Sequence, residues 1–259
     1  MKKFIPFFIV YLLLYINCFS QTCWIWQNPY PQSNTLMQVR FINQNTGYAC
    51  GYNGIVTKTT NGGNNWTVFN TGFNYGNAFG GRFACPDANN IWVVGYGRIL
   101  HSSNGGNNWI STTTAGDNRD VFFVNSNTGW ILNVSSGYIQ RTTNGGTSWV
   151  YKGSAGVSRF VFVNENLGFG FTPTSGYIAK TTNGGDSWTS QLAPSSDNMF
   201  SLSFPSANTG YISAEGGKIF KTTNSGTNWF ILNHGVDHQY LDCYFINDNT
   251  GWVSDCTNL

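Results

Sequence analysis

The chain repeats one nonapeptide, which first occurs as Lys58-Thr59-Thr60-Asn61-Gly62-Gly63-Asn64-Asn65-Trp66. Each later copy keeps a basic residue, two hydroxyl residues, an asparagine, a glycine four residues after the first hydroxyl, and a final tryptophan. The tryptophans lie 43, 40, 39 and 41 residues apart. A nearly constant period in this range is typical of a repeat architecture, so the rest of the chain is best considered unit by unit.

The residue types of this box predict a tight turn between two strands. Asparagine accepts a hydrogen bond from the backbone two residues on, threonine does so more weakly, and glycine adopts the positive φ that a side chain opposes. The tryptophan then begins the return strand and packs its ring over the turn. The residues that we assign to this structural role are Thr59, Asn61, Gly63, Trp66, Asn104, Gly106, Trp109, Asn144, Gly146, Trp149, Asn183, Gly185, Trp188, Asn224, Gly226 and Trp229.

A second motif, F-x-N-x-N-x-G-aromatic, lies upstream of each box and first runs from Phe41 to Tyr48. The second unit carries a degenerate copy, from Cys85 to Trp92. Before the motif comes an alternating segment such as 36–41, whose period of two predicts a half-buried strand. Each unit thus contains four antiparallel strands in about 40 residues, which is one propeller blade. We predict an all-β fold, a β-propeller.

Complete blades are predicted at about 35–70, 79–113, 119–153, 157–191 and 198–232, and a partial sixth at 239–259. The sixth has the first two strands and no box. Residues 24–28 read Trp-Ile-Trp-Gln-Asn and predict a lone closing strand that completes the last blade. Two explanations for the missing third strand stay open. We favour a C-terminally truncated chain, and the alternative is a sixth blade of three strands.

The repeat resembles the Asp-box, also called the bacterial neuraminidase (BNR) repeat, with asparagine where aspartate is usual. The unit is most similar to that of the photosystem II assembly and stability factors, and the similarity covers nearly all of the chain after residue 20. The resemblance implies a native ring of seven blades, in which the box joins the third and fourth strands of each blade. It implies little about chemistry.

The first 20 residues have the features of a secretory signal peptide. Lys2 and Lys3 precede an apolar run, and small residues come just before Gln21. We therefore expect an exported mature domain at 21–259, in the periplasm, at the cell surface or secreted, with no membrane span after cleavage. Lipid anchoring at Cys18 is the weaker alternative, because the preceding residues are not the small ones that a lipobox requires.

After cleavage the chain has 11 basic and 11 acidic residues and is formally neutral. Without a basic excess to neutralise phosphates, nucleic acid is not an expected partner. No phosphate loop, nucleophile elbow, zinc-protease motif or calcium loop is present in the sequence, so we expect no cofactor and no metal. We expect His101, His234 and His238 to be solvated, and Cys85 and Cys243 to act as small buried hydrophobic residues.

The first strand of each propeller blade lines the central channel, and the candidate binding residues are taken from there. They are Gln38, Arg40, Arg82, Arg119, Asp120, Arg159, Asp242 and Tyr244. Arginines from three successive units, Arg82, Arg119 and Arg159, can bind a carboxylate or an acidic peptide. The alternative is a solvated channel whose charges pair with the two aspartates.

These observations favour a monomeric, non-catalytic scaffold that binds a protein or a glycan. One alternative is a glycosidase of the sialidase or xyloglucanase type, which needs paired acids. The acids that we considered, Glu165, Asp186 and Glu215, lie in turns of different units, and the F/Y-R-I-P segment of sialidases is absent. The other alternative is a passive surface or adhesive module, which fold alone does not separate from a scaffold.

Overall fold

The computed structural model of the chain describes residues 35–72, 82–154, 156–233 and 239–255. By its internal contacts the chain divides into two parts, Met1–Tyr30 and Pro31–Leu259. All described residues belong to the part Pro31–Leu259. The predicted signal peptide, the closing strand 24–28, His234 and His238 lie outside the described residues. Within the described part, no helix is long and apolar enough to cross a bilayer.

The described residues are all-β, apart from a 3-10 turn at Tyr52–Gly54. The first sheet contains β1 Leu36–Phe41, β2 Gly47–Gly51, β3 Ile55–Thr59 and β4 Thr67–Asn70. Next along the chain are β5 Phe83–Ala84, β6 Ile91–Ser102, β7 Ile110–Phe123, β8 Gly129–Asn133, β9 Tyr138–Thr142 and β10 Val150–Ser154. They are followed by β11 Arg159–Phe162, β12 Gly168–Phe171, β13 Tyr177–Thr181, β14 Thr189–Leu192, β15 Met199–Ser203, β16 Gly210–Ala214, β17 Lys218–Thr222, β18 Phe230–Asn233, β19 Tyr240–Asn247 and β20 Thr250–Asp255.

Hydrogen-bonded neighbours follow chain order in every sheet, and every pairing is antiparallel. Strands β1–β4, β11–β14 and β15–β18 form four-stranded sheets, and β19–β20 form a two-stranded one. This is the strand arrangement that the repeat period predicts, since each complete unit contributes four strands that pair with their sequence neighbours.

The second and third units differ from the prediction of separate sheets at 79–113 and 119–153. Strands β5 to β10 form one six-stranded sheet, because β7 serves both as the last strand of one unit and as the first strand of the next. The segment between the two halves of β7 stays extended. The buried Asn118 holds it by donating to the carbonyl oxygen of Gly95 at 3.2 Å. Its β-branched run 112–114 also favours continuous strand.

The first strand of four units contains a register shift at the same place. The shifts lie between Leu36 and Gln38, Asn118 and Asp120, Met199 and Ser201, and Tyr240 and Asp242. A β-bulge leaves one residue unpaired and changes the direction of nearby side chains. The residue inside the bulge of the third unit is Arg119. Its side chain therefore does not follow the alternation of side-chain directions along the rest of the strand.

The box forms the predicted turn with a different hydrogen-bond pattern. The Thr59 hydroxyl accepts the N–H of Gly63 at 2.8 Å and donates to Asn61 Oδ1 at 3.0 Å, and that oxygen accepts the N–H of Asn65 at 2.9 Å. All five copies repeat these three bonds. The asparagine therefore reaches four residues ahead rather than two. The tryptophan precedes the return strand by one residue, as Trp66 precedes β4.

The conserved offset of the box glycine has the predicted cause. Its φ lies between 72° and 97° in the five copies. The residue before it is also left-handed, and the fifth copy places Ser225 there at φ 55°. The turn thus needs two successive residues with positive φ, which is a conformation that glycine adopts without steric cost.

Consecutive units are joined by stacked aromatic rings, a feature that the repeat pattern alone does not reveal. Trp130, from the Gly-aromatic pair of the third unit, lies parallel to Phe162 of the fourth, with centroids 3.6 Å apart. The equivalent pairs at three other junctions are Trp92–Phe123, Phe169–Phe204 and Tyr211–Phe245. At the first junction Tyr48 and Cys85 share a buried cluster instead. The second motif therefore links neighbouring units.

Two further side chains complete the stacks at the Trp92–Phe123, Trp130–Phe162 and Phe169–Phe204 junctions. The basic residue before the box lies over the first ring, as Arg141 lies 5.3 Å from the centroid of Trp130. The box tryptophan meets the second ring edge-on, as Trp188 meets Phe162 at 5.9 Å. In the second unit His101 takes the basic position and stacks on Trp92 at 4.3 Å. His101 is half-buried, so the prediction that it is solvated is wrong, and its burial lowers the pKa of the imidazole.

The core lies between successive units. Val157 and Phe160 of the fourth unit pack with Leu132 and Ile139 of the third, and the same arrangement recurs one junction later. Cys85 and Cys243 are buried hydrophobic residues, as predicted.

Candidate functional site

Two of the polar residues predicted on the first strands, Gln38 and Asp120, accept hydrogen bonds from the next unit. Gln38 Oε1 accepts the N–H of Phe83 at 3.0 Å, and Asp120 Oδ2 accepts that of Phe160 at 3.2 Å. Both donors are backbone groups about one repeat further along the chain. These two polar side chains therefore help to hold neighbouring sheets together, in addition to any binding role.

Asp120 brings two of the candidate arginines into one electrostatic cluster. Burial raises the pKa of its carboxyl above the ordinary range, while Arg82, the N–H of Phe160 and Arg40 act in the opposite direction. Arg40 belongs to the first unit, Arg82 to the second and Asp120 to the third. We call Arg40, Arg82 and Asp120 the cationic cluster, because it holds two positive charges and at most one negative charge.

Arg40 has unused hydrogen-bonding capacity within this cluster. Its Nε atom is buried and has no hydrogen-bond partner among the described residues. The side chain borders a small cleft of about 70 Å³, together with Ala84, Cys85 and Phe122. Within the described chain neither Arg40 nor Arg82 forms an ion pair within 4 Å. An arginine in this situation can donate to a carboxylate oxygen without first breaking an ion pair.

The other candidate residues have different surroundings. Arg119 Nε donates to Asp117 at 2.9 Å, which follows from its position in the bulge. Asp242 accepts the N–H of Cys243 at 3.0 Å and the hydroxyl of Ser201. Arg159 is half-buried on β11, and Tyr244 is 52 % exposed on β19. The arginines that act on Asp120 are thus Arg82 and Arg40, rather than the predicted group of Arg82, Arg119 and Arg159.

The acids considered for a glycosidase each contact a different neighbour. Glu165 accepts from Arg141 at 3.2 Å, Asp186 from Lys152 at 2.8 Å, and Glu215 from the amide of Asn198 at 2.9 Å. The first two contacts cross from one unit to the next and explain why acids occur in these turns. No group of three or more His, Cys, Asp and Glu side chains that could hold a metal ion occurs in the described part of the chain.

The fold and the repeated boxes define the class of protein, an all-β propeller of four-stranded antiparallel sheets. Residues 19–158 match the family described as photosynthesis system II assembly factor YCF48. The chain belongs to this family. No curated protein sequence matches the chain.

Solved structures share the fold. YCF48 from Cyanidioschyzon merolae is 17 % identical, with a TM-score of 0.53 over 88 % of this chain and 94 % of that one. YCF48 bound to D1 peptide is 17 % identical, with a TM-score of 0.52 over 87 % of this chain and 90 % of the other. The GH74 enzyme of Niastella koreensis is 22 % identical, with a TM-score of 0.61 over 84 % of this chain and 34 % of the enzyme. At these identities the likeness concerns the fold, which serves both an assembly factor and a GH74 enzyme.

Proposed function

We propose that this protein is a non-catalytic assembly scaffold, which binds an acidic peptide segment of a client protein at the cationic cluster. Membership of the YCF48 family supports the scaffold role, and a YCF48 structure contains a bound peptide. The observation that carries the binding site is the buried Nε of Arg40, which has no partner among the described residues and lies in the same electrostatic cluster as Arg82.

The chemistry of this cluster favours a carboxylate ligand. Two guanidinium groups present planar arrays of N–H donors, and such groups bind carboxylates with two parallel hydrogen bonds. Arg82 and Arg40 both act electrostatically on the Asp120 carboxyl, whose pKa is raised by burial. An acidic side chain or a free C-terminal carboxylate of a client is therefore the expected ligand.

We also propose that the protein acts outside the cytoplasm as a monomer. The charged start, apolar run and small residues of the first 20 positions support export, and the low content of charged residues, 9 %, suits an exported all-β protein. N-terminal sequencing of the protein recovered from the exported fraction tests this proposal. A mature protein that begins at Gln21 supports it, and an intact Met1 would contradict it.

A displayed peptide library tests the binding site without knowledge of the client. The library is selected on the full chain and on an Arg40→Gln/Arg82→Gln variant. We expect peptides rich in Asp and Glu, or peptides with a free terminal carboxylate, to be enriched on the wild-type chain. Binding of these peptides should weaken about tenfold or more in the double variant, because a charge-assisted contact is lost at each arginine.

The matched control removes a positive charge elsewhere. Lys152→Ala deletes the exposed ion pair with Asp186 and leaves the cationic cluster unchanged. If the same acidic peptides are enriched on the double variant as on the wild-type chain, the proposed site is wrong. If Lys152→Ala weakens binding as much as the double variant does, the attraction is a general effect of charge.

A further inference from the structure

Four of the five boxes contain the dipeptide Asn-Gly, at residues 61–62, 104–105, 144–145 and 183–184. Asparagine loses its side-chain amide most readily before glycine, because glycine has no side chain that shields its backbone nitrogen. The fifth box has Asn224-Ser225 at the same place, where the serine side chain hinders the reaction. The repeat that defines the fold therefore contains a chemically labile dipeptide.

The reaction at such a dipeptide is an internal substitution followed by hydrolysis. The backbone nitrogen of the glycine loses its proton and bonds to Cγ of the asparagine, while the bond from Cγ to Nδ2 breaks and ammonia leaves. Water then adds to one of the two carbonyl carbons of the cyclic imide. One ring opening gives aspartate, and the other gives isoaspartate, in which the main chain runs through the former side chain. Water is the only co-reactant.

The folded box holds both groups that would react, as its third copy shows. The N–H of Gly145 donates to the carbonyl oxygen of Asn127 at 2.9 Å. Oδ1 of Asn144 accepts the hydroxyl of Thr142 at 2.9 Å and the N–H of Ser148 at 3.0 Å. Closure of a five-membered imide needs χ1 of the asparagine outside the staggered wells. The side chain therefore has to leave its position in the box before it can react.

The same hydrogen bonds are present in the other Asn-Gly boxes. The glycine N–H groups donate at 2.9 Å to carbonyl oxygens in the earlier turn of the same unit, from Gly62 to Asn45, from Gly105 to Asn89 and from Gly184 to Asn166. The two bonds to Oδ1 recur as well. All four asparagine side chains are exposed, so water reaches them. Protection from deamidation thus comes from the hydrogen bonds and not from burial.

We propose that Asn61, Asn104, Asn144 and Asn183 are latent modification sites, which the closed box keeps unreactive and which deamidate in water when their unit opens. Proteins open in local cooperative units, so one box can open while the rest of the chain stays folded. The proposal concerns the box turns and does not involve the cationic cluster. It is therefore independent of the proposed binding function.

The two products of the reaction have opposite effects on the box. Aspartate keeps Oδ1 in place for both donors, and its negative charge strengthens the two hydrogen bonds. Isoaspartate adds a methylene group to the main chain and moves the carboxylate, so the two donors can no longer reach the same oxygen. A unit that opens and forms isoaspartate therefore cannot close its box again.

Peptide mapping by mass spectrometry measures the reaction at each box of the full chain. The chain is kept at mildly alkaline pH, either folded or in guanidinium chloride, and samples are digested at intervals. In denaturant, the four Asn-Gly sites should deamidate at similar rates, and Asn224 several times more slowly. In the folded chain, the four sites should react at least about tenfold more slowly than in denaturant, because their hydrogen bonds are retained. Equal rates in the two conditions would overturn the proposal.

Thr142→Val and its matched control Thr143→Val test whether protection is local. The first removes the hydroxyl that donates to Asn144, and the second changes the adjacent exposed hydroxyl. Deamidation of Asn144 should become about five- to tenfold faster in Thr142→Val only, while Asn183 keeps its wild-type rate in both variants. An unchanged rate at Asn144, or equal acceleration at Asn183 in a folded variant, would overturn the proposal.

Ser148→Ala decides the matter if circular dichroism shows that Thr142→Val does not fold. Ser148 is exposed, and its hydroxyl accepts Nδ2 of Asn144 at 2.9 Å. Its removal should accelerate deamidation about two- to threefold at Asn144 and leave Asn183 unchanged. No acceleration at Asn144 would contradict local protection.

Refolding separates the two products. A chain aged in denaturant is returned to buffer, and the refolded and aggregated fractions are mapped. Aspartate at position 144 should occur in the refolded fraction, and isoaspartate should be concentrated in the fraction that fails to refold. Asn144→Asp is the control and should melt at the wild-type temperature or above it. Isoaspartate spread equally over both fractions, or a clear fall in the melting temperature of Asn144→Asp, would overturn the assigned effects of the products.

Discussion

Trp130 of one sheet lies face to face with Phe162 of the next, with ring centroids 3.6 Å apart and planes 3° from parallel. Arg141 lies over the tryptophan, and Trp188 meets the edge of the phenylalanine. The glycine of the second motif allows this packing, since a Cβ on Gly168 would lie only 2.7 Å from the Phe162 ring. The motif F-x-N-x-N-x-G-aromatic is therefore a device for joining units.

Phe162→Ala tests the energetic importance of this stack. The side chain is almost fully buried, so we expect the free energy of unfolding to fall by about 3 to 5 kcal/mol. Phe41→Ala is the matched control, because Phe41 holds the same motif position but is 42 % exposed. The fall in the free energy of unfolding caused by Phe41→Ala should be about half as large or less. Urea denaturation measures both, and equal losses would contradict the proposed role of the stack.

Thr142→Val tests the hydrogen bonds of the box. The substitution keeps the shape of the side chain but removes the oxygen that accepts the N–H of Gly146 at 2.9 Å. We expect a loss of about 1 to 3 kcal/mol, because the half-buried N–H of Gly146 is left without a partner. Thr143→Val changes the adjacent exposed hydroxyl and should cost less than about 0.5 kcal/mol. Similar melting temperatures for the two variants would show that the buried hydroxyl contributes nothing.

Gly146→Ala separates backbone strain from steric contact. At this position φ is 82°, and a Cβ would lie 2.9 Å from Nε1 of Trp92. At Gly156 φ is 60°, and no atom lies within 4 Å of the added carbon. Gly156→Ala should therefore cost only the conformational penalty of about 1 kcal/mol, and Gly146→Ala should cost about 1 to 3 kcal/mol more. Thermal denaturation measures the difference, and its absence would show that the indole moves aside freely.

Asp120→Asn should alter how stability depends on pH. Because the folded state raises the pKa of Asp120, the unfolded chain releases this proton at lower pH than the folded chain does. The aspartate therefore contributes stability at low pH that is lost as the pH rises through its folded pKa. The stability of Asp120→Asn relative to wild type should increase above about pH 4, since Asn cannot ionise. Urea denaturation at several pH values tests this, and parallel curves would contradict it.

The local turn chemistry could be predicted from the sequence, but the relations between units could not. Positive φ at Gly63 and its counterparts follows from the residue type and the spacing, and so does the alternation of β1. The stacking of His101 on Trp92 was missed because an isolated histidine carries no signal of its neighbours. The repeat itself contained a usable clue, since His101 occupies a position that holds Lys or Arg in the other four copies.

The candidate site was predicted only in part for a related reason. Gln38 and Asp120 are both predicted as first-strand candidates, yet their bonds to Phe83 and Phe160 depend on contacts between units about 40 residues apart. The bulge that turns Arg119 toward Asp117 depends on strand pairing, which periodicity alone does not reveal. Residues one position apart on the same strand therefore have unrelated environments.

The central claim is that an acidic client peptide binds at Arg40 and Arg82, and photo-cross-linking tests it most directly. A peptide enriched on the wild-type chain is synthesised with a diazirine next to its acidic residue and irradiated with the full chain. Mass spectrometry should place the cross-links within residues 38–41, 82–86 and 120–123, around the cationic cluster. Cross-links confined to the outer strands β4, β14 or β18 would contradict the claim.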